Sequence, residues 1–165
     1  MSEPEQDYFL PDEWDGKVVL LFNEATGTLM DLGGGQSWNG NPVIGWEYHG
    51  SSNQQWRLQK VESGVWGAWV LRNVASGTVL DLNFGDANDG ARIQGWENGG
   101  GSGNPNQEWL IITKEYNNPS RCILQNTGTY TVCDMAHGRR DNGNPIIGQH
   151  RLGWNGNQLW RMQVV

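Results

Sequence analysis

The sequence has little cysteine, little positive charge and no long apolar run. Cys122 and Cys133 are its only cysteines, too few for a disulfide framework and without metal-site spacing. They read as reduced thiols, although a hairpin could bring them within bridging distance. Lys and Arg number 11 against 18 Asp and Glu, for a net charge of −7. There is no basic stripe to displace phosphate counterions, which disfavours nucleic acid and anionic membranes as partners. No stretch reaches the roughly 18 apolar residues of a spanning helix, so membrane insertion is not expected. Met1 to Asp7 is acidic with no apolar core behind it. It does not read as a secretory signal, and a cytoplasmic location is expected. No Ser/His/Asp or Cys/His grouping stands out, so neither catalysis, a metal nor a cofactor is expected. His49, His137 and His150 lie in unlike contexts and read as solvent-exposed.

Glycine and tryptophan fill the gap. There are 24 Gly, and Asn-Gly pairs begin at Asn39, Asn98, Asn142 and Asn155. This is the chemistry of turns rather than helices. Ten Trp exceed what the core of a 165-residue domain needs, so some are expected on the surface for binding.

One phrase organises the chain. Gln-any-Trp occurs at Gln54–Trp56, Gln107–Trp109 and Gln158–Trp160, each preceded by an Asn (Asn53, Asn106, Asn157). The Trp-to-Trp separations are 53 and 51 residues, so the chain repeats itself. Residues 1–16 form an acidic extension that Tyr8, Phe9, Leu10 and Trp14 could pin to the domain, with a frayed terminus the alternative. Asp12, Glu13 and Asp15 read as a solvated acidic cluster. A single domain covers residues 17–165, with repeats at about 18–60, 69–113 and 121–165. In the first, Val19–Phe22, Thr28–Leu32, Pro42–Trp46 and Gln54–Leu58 read as short strands separated by turns. The other two follow the same grammar. Asp31, Asp81 and Asp134 share a register with Gly40, Gly90 and Gly143 and with Gly45, Gly95 and Gly148, each set spaced 50 and then 53. Length varies only in the loops before Gln-any-Trp and in the links between repeats, as a fixed scaffold with an adjustable surface would show.

The expected fold is therefore all-β. Three repeats are too few for most propellers, and a solenoid would leave open ends. A β-trefoil remains: three four-stranded repeats with pseudo-threefold symmetry. The Gln-any-Trp tryptophans are then core, while the three Gln either serve the structure or line a site.

Asp31…Trp46…Asn53-Gln54-Gln55-Trp56 and Asp81…Gln94…Trp96…Asn106-Gln107-Glu108-Trp109 resemble the ricin B-chain-type lectin repeat, most nearly the cytosolic ricin-B-like lectins of mushrooms. The resemblance covers about residues 18–165. It implies a β-trefoil that binds galactose or N-acetylgalactosamine in shallow pockets, up to one per repeat. The family's disulfide cysteines are missing, which fits its cytosolic members.

The chemistry can be stated without the family. A sugar offers hydroxyls on its rim and a C–H patch on one face. An ionised carboxylate accepts strongly from neighbouring hydroxyls, a flat ring underlies the apolar patch, and an amide both donates and accepts. Asp31, Trp46 and Asn53 fill these roles in the first repeat, with Gly34 letting backbone N–H groups approach. Asp81, Trp96 and Asn106 fill them in the second, where Gln94 adds a polar group at the place of Ile44. The third keeps Asp134 and Asn157 but has Gln149 at the ring position. It reads as a weaker site, with His150 and Trp154 the side chains that could lean in. Each residue also has a bland reading, the Asp as a turn cap and the Trp as packed aromatics. Their joint recurrence favours a site.

The function read from this is a non-catalytic lectin for galactoside or N-acetylgalactosamine glycans on glycoproteins or glycolipids, in defence, with avidity from two sites or a homodimer. Two rivals stand beside it: a β-trefoil protease inhibitor or other protein-binding module, and the carbohydrate-binding part of an enzyme.

Overall fold

The structure is a computed structural model that describes residues 6–62, 64–98 and 104–165. The opening residues Met1 to Glu5 of the acidic extension and the Gly-rich residues 99–103 before Gln107 lie outside the described residues. Among the described residues thirteen strands join one hydrogen-bonded sheet, and no α-helix occurs. β1 is Tyr8–Phe9. Then come β2 (Val18–Asn23), β3 (Leu29–Leu32), β4 (Asn41–Trp46) and β5 (Trp56–Lys60). Next are β6 (Ala68–Asn73), β7 (Val79–Leu82), β8 (Ala91–Trp96) and β9 (Trp109–Thr113), and last β10 (Cys122–Asn126), β11 (Val132–Met135), β12 (Asn144–Gln149) and β13 (Trp160–Val164). We call the stretches β2–β5, β6–β9 and β10–β13 the first, second and third lobes.

The edges of the sheet are closed on themselves. β2 pairs with β5, β5 with β6, β6 with β9, β9 with β10, β10 with β13, and β13 returns to β2. Among the described residues this ring leaves no long unpaired edge to recruit another chain. Hairpins β3–β4, β7–β8 and β11–β12 cap one end, and their second strands pair cyclically as β4–β8, β8–β12 and β12–β4.

The core shows why the spacing in the sequence is strict. Trp56, Trp109 and Trp160 are fully buried. Each indole N–H donates to the carbonyl of the residue before a lobe's Asp: Met30, Leu80 and Cys133, at 3.0, 3.0 and 3.1 Å. A buried indole needs such a partner. Leu32, Leu82 and Met135, one residue past each Asp, enter the same central cluster. Each lies against a glycine of another lobe. A Cβ on Gly45 would stand 2.7 Å from Met135, one on Gly95 2.8 Å from Leu32, and one on Gly148 3.0 Å from Leu82. Those glycines are there for close approach, and side chain and gap pass from lobe to lobe in one rotational sense.

The acidic extension is docked from Tyr8 onward. Tyr8 and Phe9 pair with Thr113 and Ile112, Leu10 and Trp14 are buried, and Trp14 Nε1 donates to Asn117 Oδ1 at 2.8 Å. Asp12 and Glu13 are not merely solvated: Asp12 meets Lys60 Nζ at 2.6 Å, and Glu13 accepts from Asn117 at 2.6 Å. Cys122 and Cys133 are free and buried, and burial pushes the Cys122 thiol up to about 12.

Candidate functional site

The carboxylates owe their placement to strand register. In an antiparallel pair, residues opposite one another share a face, and so do residues two apart. Asp31 lies opposite Ile44 and Asp81 opposite Gln94. The residues two further on, Trp46 and Trp96, therefore come up on the side of each carboxyl. Asp134 lies opposite Ile147 in the same way, which leaves Gln149 at the ring position.

Gln-any-Trp completes this arrangement from below. Gln54, Gln107 and Gln158 are buried, and each side-chain amide donates to an Asp oxygen: to Asp31 at 3.0 Å, Asp81 at 2.9 Å and Asp134 at 3.0 Å. The same amide nitrogens donate to the carbonyls of Glu47, Glu97 and His150, and the amide oxygens accept from His49 N, Asn98 Nδ2 and Leu152 N. Of the two readings left open for these glutamines, the structure shows the structural one: each clamps a carboxylate and ties down the loop before it. Burial raises the pKa of all three carboxyls above the ordinary carboxylate value, against a smaller lowering by the glutamine bonds.

In the first lobe Asp31, Gly34, Trp46 and Asn53 line one open cavity of about 540 Å³. Asn53 Nδ2 donates to Asp31 Oδ1 at 3.0 Å. Gly34 has φ 60° and Gly35 φ 65°, a left-handed turn that glycine adopts cheaply. His49, expected simply in solvent, belongs to the site: its Nε2 lies 3.2 Å from Asp31 Oδ2. No repeat signal could have shown this, because the other lobes have no histidine at that place.

In the second lobe Asp81, Gln94, Trp96 and Asn106 line a smaller cavity of about 220 Å³. Trp96 is 37% exposed, so its indole is open to a ligand. The amide roles differ from those expected. Gln94 donates to Asp81 Oδ1 at 3.1 Å, taking the acceptor that Asn53 uses in the first lobe. Asn106 lines the cavity, but among the described residues its side chain donates no bond to Asp81. It packs instead over Gly85, where a Cβ would collide with its Oδ1. Phe84, not anticipated from the sequence, lines the same cavity. It stands at φ 55° where the first lobe has Gly34, and is 91% exposed. A left-handed non-glycine residue costs on the order of 1 kcal/mol.

In the third lobe Asp134 accepts from Gln158 alone among the described residues. Asn157 sits over Gly138, as Asn106 does over Gly85. Neither candidate ring leans in. His150 is held by Asp89, with ring Nδ1 at 2.6 Å and backbone N at 2.7 Å from its carboxylate oxygens. Trp154 packs on the cluster of Ile112, Ile123, Val132 and Leu159, with Arg151 and Lys114 over its ring.

A further set was missed. Asn23, Asn73 and Asn126 are buried at strand ends, and their Nδ2 atoms donate to the carbonyls of Asn157, Asn53 and Pro105. Each thereby braces the loop carrying another lobe's site amide. The signal was available, since they are spaced 50 and 53 like the aspartates. No group of three or more His, Cys, Asp or Glu that could hold a metal occurs among the described residues.

The ricin-type beta-trefoil lectin domain-like family matches residues 4–96 and 52–149. The chain belongs to that family. Solved structures resemble it as well. The designed threefold-symmetric protein ThreeFoil is 27% identical, with a TM-score of 0.78 over 88% of this chain and 96% of that one. The ricin B-like lectin of Macrolepiota procera, solved with lactose, is 26% identical, with a TM-score of 0.71 over 90% and 96%. An exo-β-1,3-galactanase of Clostridium thermocellum is 25% identical, with a TM-score of 0.78 over 95% of this chain but 31% of the enzyme. No curated protein matches the chain. The all-β reading and the ricin-B-like resemblance both hold, and the lectin family supports carbohydrate binding.

Proposed function

We propose that this β-trefoil, built as three four-stranded repeats, binds galactose- or N-acetylgalactosamine-ended glycans at its first two lobes without cleaving them. One observation carries the reading: in each of these lobes a clamped carboxylate and an accessible indole line the same cavity. The carboxylate accepts from vicinal hydroxyls, and the indole takes the C–H face. A shallow open site buries little of its ligand, so each binds weakly and two on one chain add avidity. A homodimer would add more, and sedimentation velocity checks it. Two buried free thiols support a reducing, cytoplasmic setting, and defence by engaging foreign surface glycans is the role that suits such a lectin.

Lactose titration of Asp31→Ala and Asp81→Ala, singly and together, is the test. Each single substitution should halve the stoichiometry, and the double should abolish binding. A double variant that binds like the parent would refute the assignment. A second reading, a module for proteases or other proteins, draws on a separate observation. Phe9 and Trp66 meet edge-to-face at 6.0 Å and are exposed, as is Tyr116, and none of the three lines either cavity. A glycan array without hits would favour it.

A further inference from the structure

One difference between the two equipped lobes lies in the turn that follows each aspartate strand. At the position following each site's first turn residue, the backbone is left-handed in all three lobes: Gly34 at φ 60°, Phe84 at φ 55° and His137 at φ 56°. The turn imposes this conformation, and glycine meets it without strain. The second lobe instead carries a bulky apolar ring there. That ring is not spent on the core, for Phe84 is 91% exposed. A strained backbone and an uncovered apolar surface are two costs with no return inside the free chain. Both fall at the wall of the cavity that Asp81, Gln94 and Trp96 line. His137 bears the same strain in the lobe without a ring, so it is the uncovered aromatic at a cavity wall that points to function.

We propose that Phe84 is a second aromatic wall of the Asp81 site, and that this site takes a β-galactoside of at least two residues. The inference rests on the galactoside reading above and adds the ligand's length. Asp81 and Trp96 hold the terminal sugar, and Phe84 takes the apolar face of the next ring, which leaves the mouth of the cavity through the glycosidic oxygen. The first lobe has Gly34 and a wider cavity, so it offers the second ring no such surface. The two sites of one chain are thereby unequal, one reading a terminal sugar and the other a terminal sugar with its neighbour.

The test isolates the second site in an Asp31→Ala chain and compares methyl β-galactoside with lactose by calorimetry. Stacking of one additional ring face should make lactose bind about threefold to tenfold tighter. Phe84→Gly, which suits the left-handed turn, should bring the ratio close to one, and Phe84→Tyr should keep it. A preference that survives Phe84→Gly, or that is absent with Phe84 in place, overturns the inference while leaving the galactoside reading standing. Failure of both sugars to bind the Asp31→Ala chain overturns the two together and is a different result from a flat ratio.

Discussion

The first and third lobes make the same frame and equip it differently. In both, a buried Trp anchors the strand before the aspartate, and a buried Gln holds the carboxylate. In both, the carboxyl is pushed above its ordinary pKa by burial. The first lobe then adds an indole and an amide on the carboxylate, whereas the third has Gln149 at the ring position and ties its neighbouring His150 to Asp89. The clamp is thus part of how every lobe folds, and under the proposed function the ring is what distinguishes a binding lobe. A carboxylate alone is weak testimony for binding in this architecture.

Removing the clamp should have the largest effect. Gln158→Ala leaves the buried Asp134 carboxylate and its loop groups without partners, at about 2–4 kcal/mol. After Gln54→Ala, Asp31 keeps Asn53 and His49, so the loss should be smaller. Thermal melts should show the larger drop for Gln158→Ala, while lactose titration should respond to Gln54→Ala alone. Equal melts would break the contrast.

Trp46→Ala comes next. The ring is only half-buried, so melting should move little, while lactose affinity at the first site should fall by about 1–1.5 kcal/mol, or roughly tenfold.

Acidification separates binding from stability by sign. Burial raises the folded pKa of Asp31, Asp81 and Asp134 above the unfolded value. Falling pH protonates Asp31 and Asp81 and removes the acceptors, so binding should fail above the ordinary carboxylate range. The folded state binds those protons more tightly than the unfolded chain, so the three carboxyls' own contribution to stability rises over the same window. Asp89 runs the other way. Its bonds from His150 lower its pKa, so what it contributes is present above the unfolded value and is lost as pH falls through the folded one. Parallel titrations of lactose binding and of melting temperature check both signs.

The smallest effect sharpens the comparison most. Gln149→Trp gives the third lobe its missing ring, and lactose stoichiometry should rise by one weak site per chain, readable by calorimetry at high sugar concentration.

What the sequence shows and what it hides divide along physical lines. Asp31, Trp46, Asp81 and Trp96 were legible because strand register has a period of two and the lobes repeat it, and Asn53 because it stands directly before a repeated Gln-any-Trp. The three indoles were legible because a core position tolerates little change. His49 was not, since it reaches Asp31 from a loop whose shape no periodicity records. Nor was Phe84, because a left-handed residue announces itself only when it is glycine. The exchange of Asn106 for Gln94 on Asp81 follows from a cross-strand pair that one lobe alone contains. β1 escaped for a different reason: two residues pairing with a strand about a hundred positions away leave no local pattern.

The cap of the barrel has one more consequence. Asn39 Oδ1 accepts from Glu97 N, Asp89 Oδ1 from His150 N, and Asn142 Oδ1 from Glu47 N, so no lobe finishes itself and each is completed by another. Val165 N meanwhile donates to Val18 O at 3.0 Å, bringing two far-apart points of the backbone side by side. A molecule organised in this way has no preferred place to start. Circular permutants that join those neighbours and open the chain in either inter-lobe link should keep the architecture, whereas a lone lobe expressed by itself would have to recruit two copies before it could close.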